Sequence, residues 1–232
     1  MTEAEWLTVT DPQAMLAFIR SRASERKLRW YCVEAVRPFS DLFFHPTSRV
    51  ALVVAEDVAE GRGGEQELVT ARREAWAAFP FRDLTTTDLQ IDAARAAART
   101  VEPATKQAAE WTTNEVVSAF ADREEDPNTT EDEQHDAWFR GKANGEAFLA
   151  NLLRDIFGNP FRLVAVEPGG LTEAAAGIAR GIYEDRAFER MPILADALQD
   201  AGCEHADILS HCREPGEHVR GCWVVDLVLG KL

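Results

Sequence analysis

CEHADILSHCREPGEHVRGCW, residues 203 to 223, holds three of the chain's four cysteines and three of its five histidines. Two chemistries suit such a stretch. Cys203, His211, His218 and Cys222 offer two thiolates and two imidazoles, the donor set of a tetrahedral zinc site. The i, i+4 spacing of His218 and Cys222 would put both on one face of a helix beginning near His218. Against zinc, no C-x2-4-C knuckle brings paired ligands from a tight turn. Adjacent His211 and Cys212 also diverge by about 100° on a helix. The second chemistry is nucleophilic, with Cys222 as thiolate and His218 as base. It needs an electropositive, partly open pocket and a third, orienting group, whereas these cysteines flank aliphatic runs in an acidic chain.

A third reading needs no chemistry. Residues 206–213 form a short helix with Ile208, Leu209 and Cys212 inward, broken by Pro215-Gly216. A last helix then presents Val219, Cys222, Trp223, Val225, Leu227 and Leu229. Free cysteine is among the most buried residue types, so composition favours thiols that fill space between hydrophobic helices, with no catalytic residue assigned. Asp226 is the anomaly, because a carboxylate among Trp, Val and Leu must find donors. Glu131, Asp132, His135 and Asp136 share one helix face but read as solvated surface. No phosphate loop, nucleophile elbow or HExxH is present, and GRGG at 61–64 lacks the strand that a dinucleotide turn requires.

The elements that must position these residues read as helices almost throughout. Asp11 before Pro12 is a helix start. Met15, Phe18 and Ile19 form one face of that helix, and Leu28, Tyr31, Cys32 and Ala35 form a buried stripe on the next, which Pro38 stops or kinks. Further helices run from Pro46 through Val50, Val53, Val54 and Val58 to Gly61; from Glu65 to Phe79, with Leu68, Arg72, Ala75, Trp76 and Phe79 on the inner side; after Thr86 or Thr87; and through Trp111, Val116, Val117 and Phe120. A long helix then carries Trp138, Phe148, Leu149, Leu152, Leu153 and Ile156 inside and ends at Gly158-Asn159-Pro160. The pattern predicts an all-α fold: packed amphipathic hairpins, HEAT-like but without a fixed period, with at most one short strand near 161–166. DREEDPNTTEDEQ, 122–134, reads as an exposed acidic loop separating helical subdomains 1–121 and 135–232.

Charge narrows the partners. With 40 acids against 25 bases the formal charge is −15, which repels phosphate backbones and anionic lipid and makes nucleic acid an unlikely partner. The one candidate basic stripe is Arg20, Arg22, Arg26, Lys27 and Arg29. The opening MTEAEWLTVTDPQ has no basic segment leading into an apolar one, and no eighteen-residue apolar run occurs. The expectation is therefore a cytoplasmic protein without a membrane span, its thiols reduced.

MTEAEWLTVTDPQAMLAFIR, ANLLRDIFGNPFR, GIYEDRAFERMPILADALQDAGC and HVRGCWVVDLVLGK together resemble a large bacterial paralogous family, members of which carry the SMI1/KNR4 label. The resemblance covers both ends, and the middle, 80–133, is individual. It implies no activity and no residue roles. The label implies an immunity or scaffold role and a mixed α/β fold, which the helical periodicity does not match.

The leading expectation is thus a non-enzymatic helical protein-interaction or scaffold module, with another protein as partner; any of Trp6, Trp30, Phe43 and Phe44 left exposed would be candidate anchors, although burial in the core is the expected fate of any one of them. The alternatives are a zinc-binding protein using 203–222, zinc being the one candidate cofactor, and an acidic inhibitor that imitates nucleic acid.

Overall fold

The computed structural model describes residues 1–79, 85–124, 128–162, 164 and 172–231. Among them are α-helices α1 Glu3–Thr8, α2 Pro12–Ile19, α3 Glu25–Val36, α4 Pro46–Ala59, α5 Glu65–Ala77, α6 Asp88–Thr100, α7 Thr105–Arg123, α8 Glu131–Phe157, α9 Glu173–Asp185, α10 Met191–Asp200, α11 Ala206–Arg213 and α12 Trp223–Leu229. No described residue is in a strand, so the fold is all-α. Of the expected strand near 161–166, Phe161 and Arg162 lie in a turn and bend, while 163, 165 and 166 lie outside the described residues. No described helix is long and apolar enough to cross a membrane.

Local chemistry sets the helix starts. Asp11 Oδ1 accepts the amides of Gln13 and Ala14 ahead of Pro12, and Ser24 Oγ accepts that of Lys27. Thr87, not Thr86, caps α6, in a reciprocal capping box with Gln90. Each supplies an acceptor to N–H groups that the first turn leaves without one. Pro38 ends α3 as expected: the chain tightens into a 3-10 segment, Arg37–Leu42.

The described residues group into two units, Met1–Leu153 and Arg154–Leu232. The division falls inside α8 and not at 122–134; there, 122–123 end α7 and 131–134 begin α8, with 125–127 outside the described residues. In the first unit α3, α4, α5 and α6 meet around Trp30, Val33, Ala51, Ala55, Leu68, Ala71, Ala75, Ala98 and Val101. The seams are lined with alanine, which lets helix axes approach closely. α7 and α8 do the same with glycine. A Cβ on Gly145 would lie 2.8 Å from that of Phe120, and one on Gly141 would lie 2.8 Å from Ala121 Cα, distances that no side chain tolerates.

Packing decides three points here. The buried face of α4 carries Ala51, Leu52, Ala55 and Ala59, leaving Val50 and Val53 47% and 57% exposed. Trp6, Trp30 and Phe43 are buried and Phe44 is half-buried: core burial, the expected fate of each, leaves the first three unable to serve as surface anchors. The basic stripe is dispersed as well. Arg20 pairs with Glu110 at 3.1 Å, Arg26 with Glu60 at 3.3 Å, and Arg29 is buried.

The second unit packs α9, α10, α11 and α12 around Ala179, Ile182, Leu194, Leu198, Ile208, Cys212, Val224, Val225 and Val228. As read from sequence, Ile208 and Cys212 face this core. α12 spans seven residues, too few to be stable alone, so it depends on its seat against its neighbours.

Candidate metal centre

The second unit brings four metal-ligating side chains together: Asp155, His211, His218 and Cys222, whose donor atoms all lie within 4.8 Å of one another. Asp155 stands in the last turn of α8, just before the chain turns at Gly158 with φ +64°. That glycine has two jobs. It adopts a left-handed backbone at little cost, and it leaves room for the Trp223 ring, whose atoms would lie 3.1 Å from a Cβ there. Trp223 opens α12, so Cys222, the residue before it, is held near Asp155.

His211 comes from α11. Ile208 and Cys212 on that helix point into the core, and the turn of about 100° per residue directs His211 to its edge. His218 and Cys222 come from the segment 214–222. The i, i+4 expectation fails here, because the helix starts at Trp223 and Cys222 is its N-cap. An irregular backbone after Pro215-Gly216 brings the two side chains together, where a helical face was expected to do so.

His218 Nδ1 lies 2.6 Å from Asp155 Oδ1, and His211 Nε2 lies 3.2 Å from the same oxygen. His211 Nε2 is also 3.2 Å from Cys222 Sγ. The second Asp155 oxygen accepts the Val219 amide at 3.0 Å, which fixes the carboxylate's orientation. The His211 and His218 rings meet edge to face, with centroids 4.7 Å apart, and Trp223 covers His211 from 5.1 Å. Asp155 and Cys222 are buried, and the two histidines are half-buried at the rim.

The connectivity separates two chemistries. In a Cys–His–Asp relay the imidazole uses one nitrogen toward sulfur and the other toward the carboxylate. Here one nitrogen, His211 Nε2, faces both, and one oxygen, Asp155 Oδ1, faces both histidines. The donors converge on a point and do not form a chain. Electrostatics agree. Burial pushes the Cys222 thiol well above its ordinary 9.0, and the Asp155 charge adds to this; the Val224 and Val225 amides only partly offset the two. Without a cation beside it, a buried thiol held neutral in this way is a poor nucleophile. For Asp155, burial alone would raise the pKa, but the hydrogen bonds and charges of His211 and His218 outweigh it and hold the carboxyl below its ordinary 3.8.

Of the four residues anticipated as ligands, His211, His218 and Cys222 join the cluster, and Cys203 packs at the edge of the core instead. Asp155 takes its place. The signal for it was present, since Asp155 interrupts the inward stripe Leu152, Leu153, Ile156 and so had to be a buried carboxylate with partners. Glu131, Asp132, His135 and Asp136 fall in the first turns of α8, all of them exposed, and form no such cluster.

Thiol reactivity checks this arrangement. Burial pushes Cys32 up to about 11 and Cys212 up to about 12, while Cys203 alone is partly exposed. At pH 8 a disulfide reagent should therefore titrate one thiol per folded chain quickly, with the other three reacting only on unfolding. Because Cys32 and Cys212 stay neutral in the folded chain, stability should fall as pH rises above 9, where the unfolded thiols ionise first.

Fold and site together define an all-α protein with a buried cluster of two nitrogens, one oxygen and one sulfur. No family model, no curated protein and no solved structure matches the chain, so any functional reading rests on this cluster.

Proposed function

We propose that the chain is a zinc-binding protein whose C-terminal unit is organised around one Asp155–His211–His218–Cys222 site, with the ion in a structural role. The observation that carries this reading is the convergence of the four donor atoms on a single point. Zinc bonds of about 2.0–2.3 Å place tetrahedral ligands about 3.3–3.8 Å apart. The closest approaches here are 2.6 and 3.2 Å and the widest spread is 4.8 Å, so sub-ångström to one-ångström shifts accommodate the ion. Nitrogen and sulfur donors favour a borderline-soft cation over magnesium or calcium. One aspartate and one thiolate neutralise a divalent charge, which suits a buried site. Four protein ligands leave no position open for substrate, as in structural zinc sites.

The test is elemental analysis of protein purified without chelator. About one equivalent of zinc is expected, and Cys222→Ser and His218→Ala should each lose it. Cys203→Ser should retain it, in contrast to the ligand set anticipated from sequence. Less than about a tenth of an equivalent in the unmodified chain would rule the site out. The phrases ANLLRDIFGNPFR and HVRGCWVVDLVLGK, two of those that carry the family resemblance, contain Asp155, His218 and Cys222; kinship with that family is part of the proposal, and relatives with both phrases would share the site.

A further inference from the structure

We propose that residues 214–222 form a metal-operated strap that latches α12 onto the second unit. The inference rests on the zinc reading above and goes beyond it by assigning the site a conformational consequence. Glu214 to Glu217 are exposed, and the strap has no regular secondary structure. Side-chain contacts hold it at its far end. His218 and the Val219 amide meet Asp155. Arg220 donates to the carbonyls of Tyr183 and Glu184 at 3.0 and 2.9 Å, against the end of α9. Cys222 then closes against His211.

Two of these anchors, His218 and Cys222, are ligands in the cluster, and the other two ligands, Asp155 and His211, belong to α8 and α11. An ion would therefore bond the strap to the body of the unit at two points four residues apart. Cys222 is also the N-cap of α12, so fixing it fixes the start of a helix whose Val224, Val225 and Val228 fill the core. Without metal the strap keeps its hydrogen bonds, each of which exchanges for a bond to water at small net cost, together with the seat of Arg220 over the Tyr183 ring and the burial of Gly221 and Cys222, but no coordinate bond. An irregular segment held this way can open locally without unfolding the whole unit. With metal, opening requires breaking coordinate bonds.

Hydrogen–deuterium exchange on the full chain tests this, comparing zinc-loaded protein with protein stripped by a chelator. The amides of 218–226 should exchange at least about tenfold more slowly with zinc, and those of α10 should be little changed. Trypsin cleavage after Arg213 and Arg220 should slow in parallel. One equivalent of bound zinc with equal exchange in both states would overturn the strap and leave the zinc site standing. No bound zinc would overturn both. Equal slowing along the whole unit, α10 included, would also overturn it, since the metal would then stabilise the unit as a whole and latch nothing in particular.

Discussion

Asp155→Ala is expected to abolish zinc binding and to destabilise the protein by about 3–5 kcal/mol, the loss typical of removing one partner from a buried charged network. Asp155 is the hub of the site. Its Oδ1 is shared by His211 and His218, and its other oxygen holds Val219. Truncation leaves all three donors without their acceptor at a site that is largely buried. Asp155→Asn separates the contributions, because the amide keeps an acceptor for Val219 but loses the charge that favours both imidazoles and a cation. It should bind no zinc while losing less stability than alanine. Denaturant midpoints of the metal-free proteins, with zinc content measured alongside, read the two effects.

The same hub predicts an acid limb. Its folded pKa lies below the ordinary 3.8, so the carboxylate's contribution is fully present above the unfolded value and is lost as pH falls through the lowered one. In metal-free protein Asp155→Asn should flatten that limb. An unchanged limb would mean that other carboxylates govern acid unfolding.

The second large effect is expected in the first unit, for Arg29→Met. Arg29 is 2% exposed, and its guanidinium donates to the carbonyls of Thr100 and Glu102 and to Thr105 Oγ1. It thereby ties α3 to the end of α6 and the start of α7. A cation suits the C-terminal carbonyls of α6, which helps offset the burial that lowers its pKa. Methionine fills much of the volume but leaves three acceptors without donors, at about 1–3 kcal/mol each before relaxation. A net loss of about 3–5 kcal/mol is expected, with Arg29→Lys intermediate, because one ammonium cannot reproduce the planar fork. Arg22→Ala, at an exposed position of the same N-terminal cluster, should change stability by no more than about 0.5 kcal/mol. Equal effects at the two positions would show that burial of Arg29 carries none of the energy assigned to it.

Much of the helical framework was legible because its signals are local. Asp11 before Pro12 and the threonine ahead of α6 act within three residues of themselves, so the chain's own order contains the whole interaction. Helix faces were less legible. On α4 the sequence assigns no inner face among its valines, and Val50 and Val53 lie outside, because alanine lets α3, α5 and α6 approach and larger side chains would hold them apart. Which aromatic residues are covered was open in the sequence for a related reason: exposure depends on what the rest of the chain lays over a residue, and a single helix does not record it.

By itself the sequence determined that the chain is helical, acidic and carries its soft ligands between Cys203 and Cys222, since capping, periodicity and composition are properties of neighbouring residues. Only the tertiary structure decided which ligands meet. Asp155 lies 56 positions or more from its partners in sequence and reaches them because α8 ends at Gly158 beside Trp223, whereas Cys203, close to them in sequence, is turned into the edge of the core. Convergence of donors on a point is a three-dimensional condition, and spacing along a chain constrains it only where the backbone between is regular. Between Arg213 and Trp223 it is not.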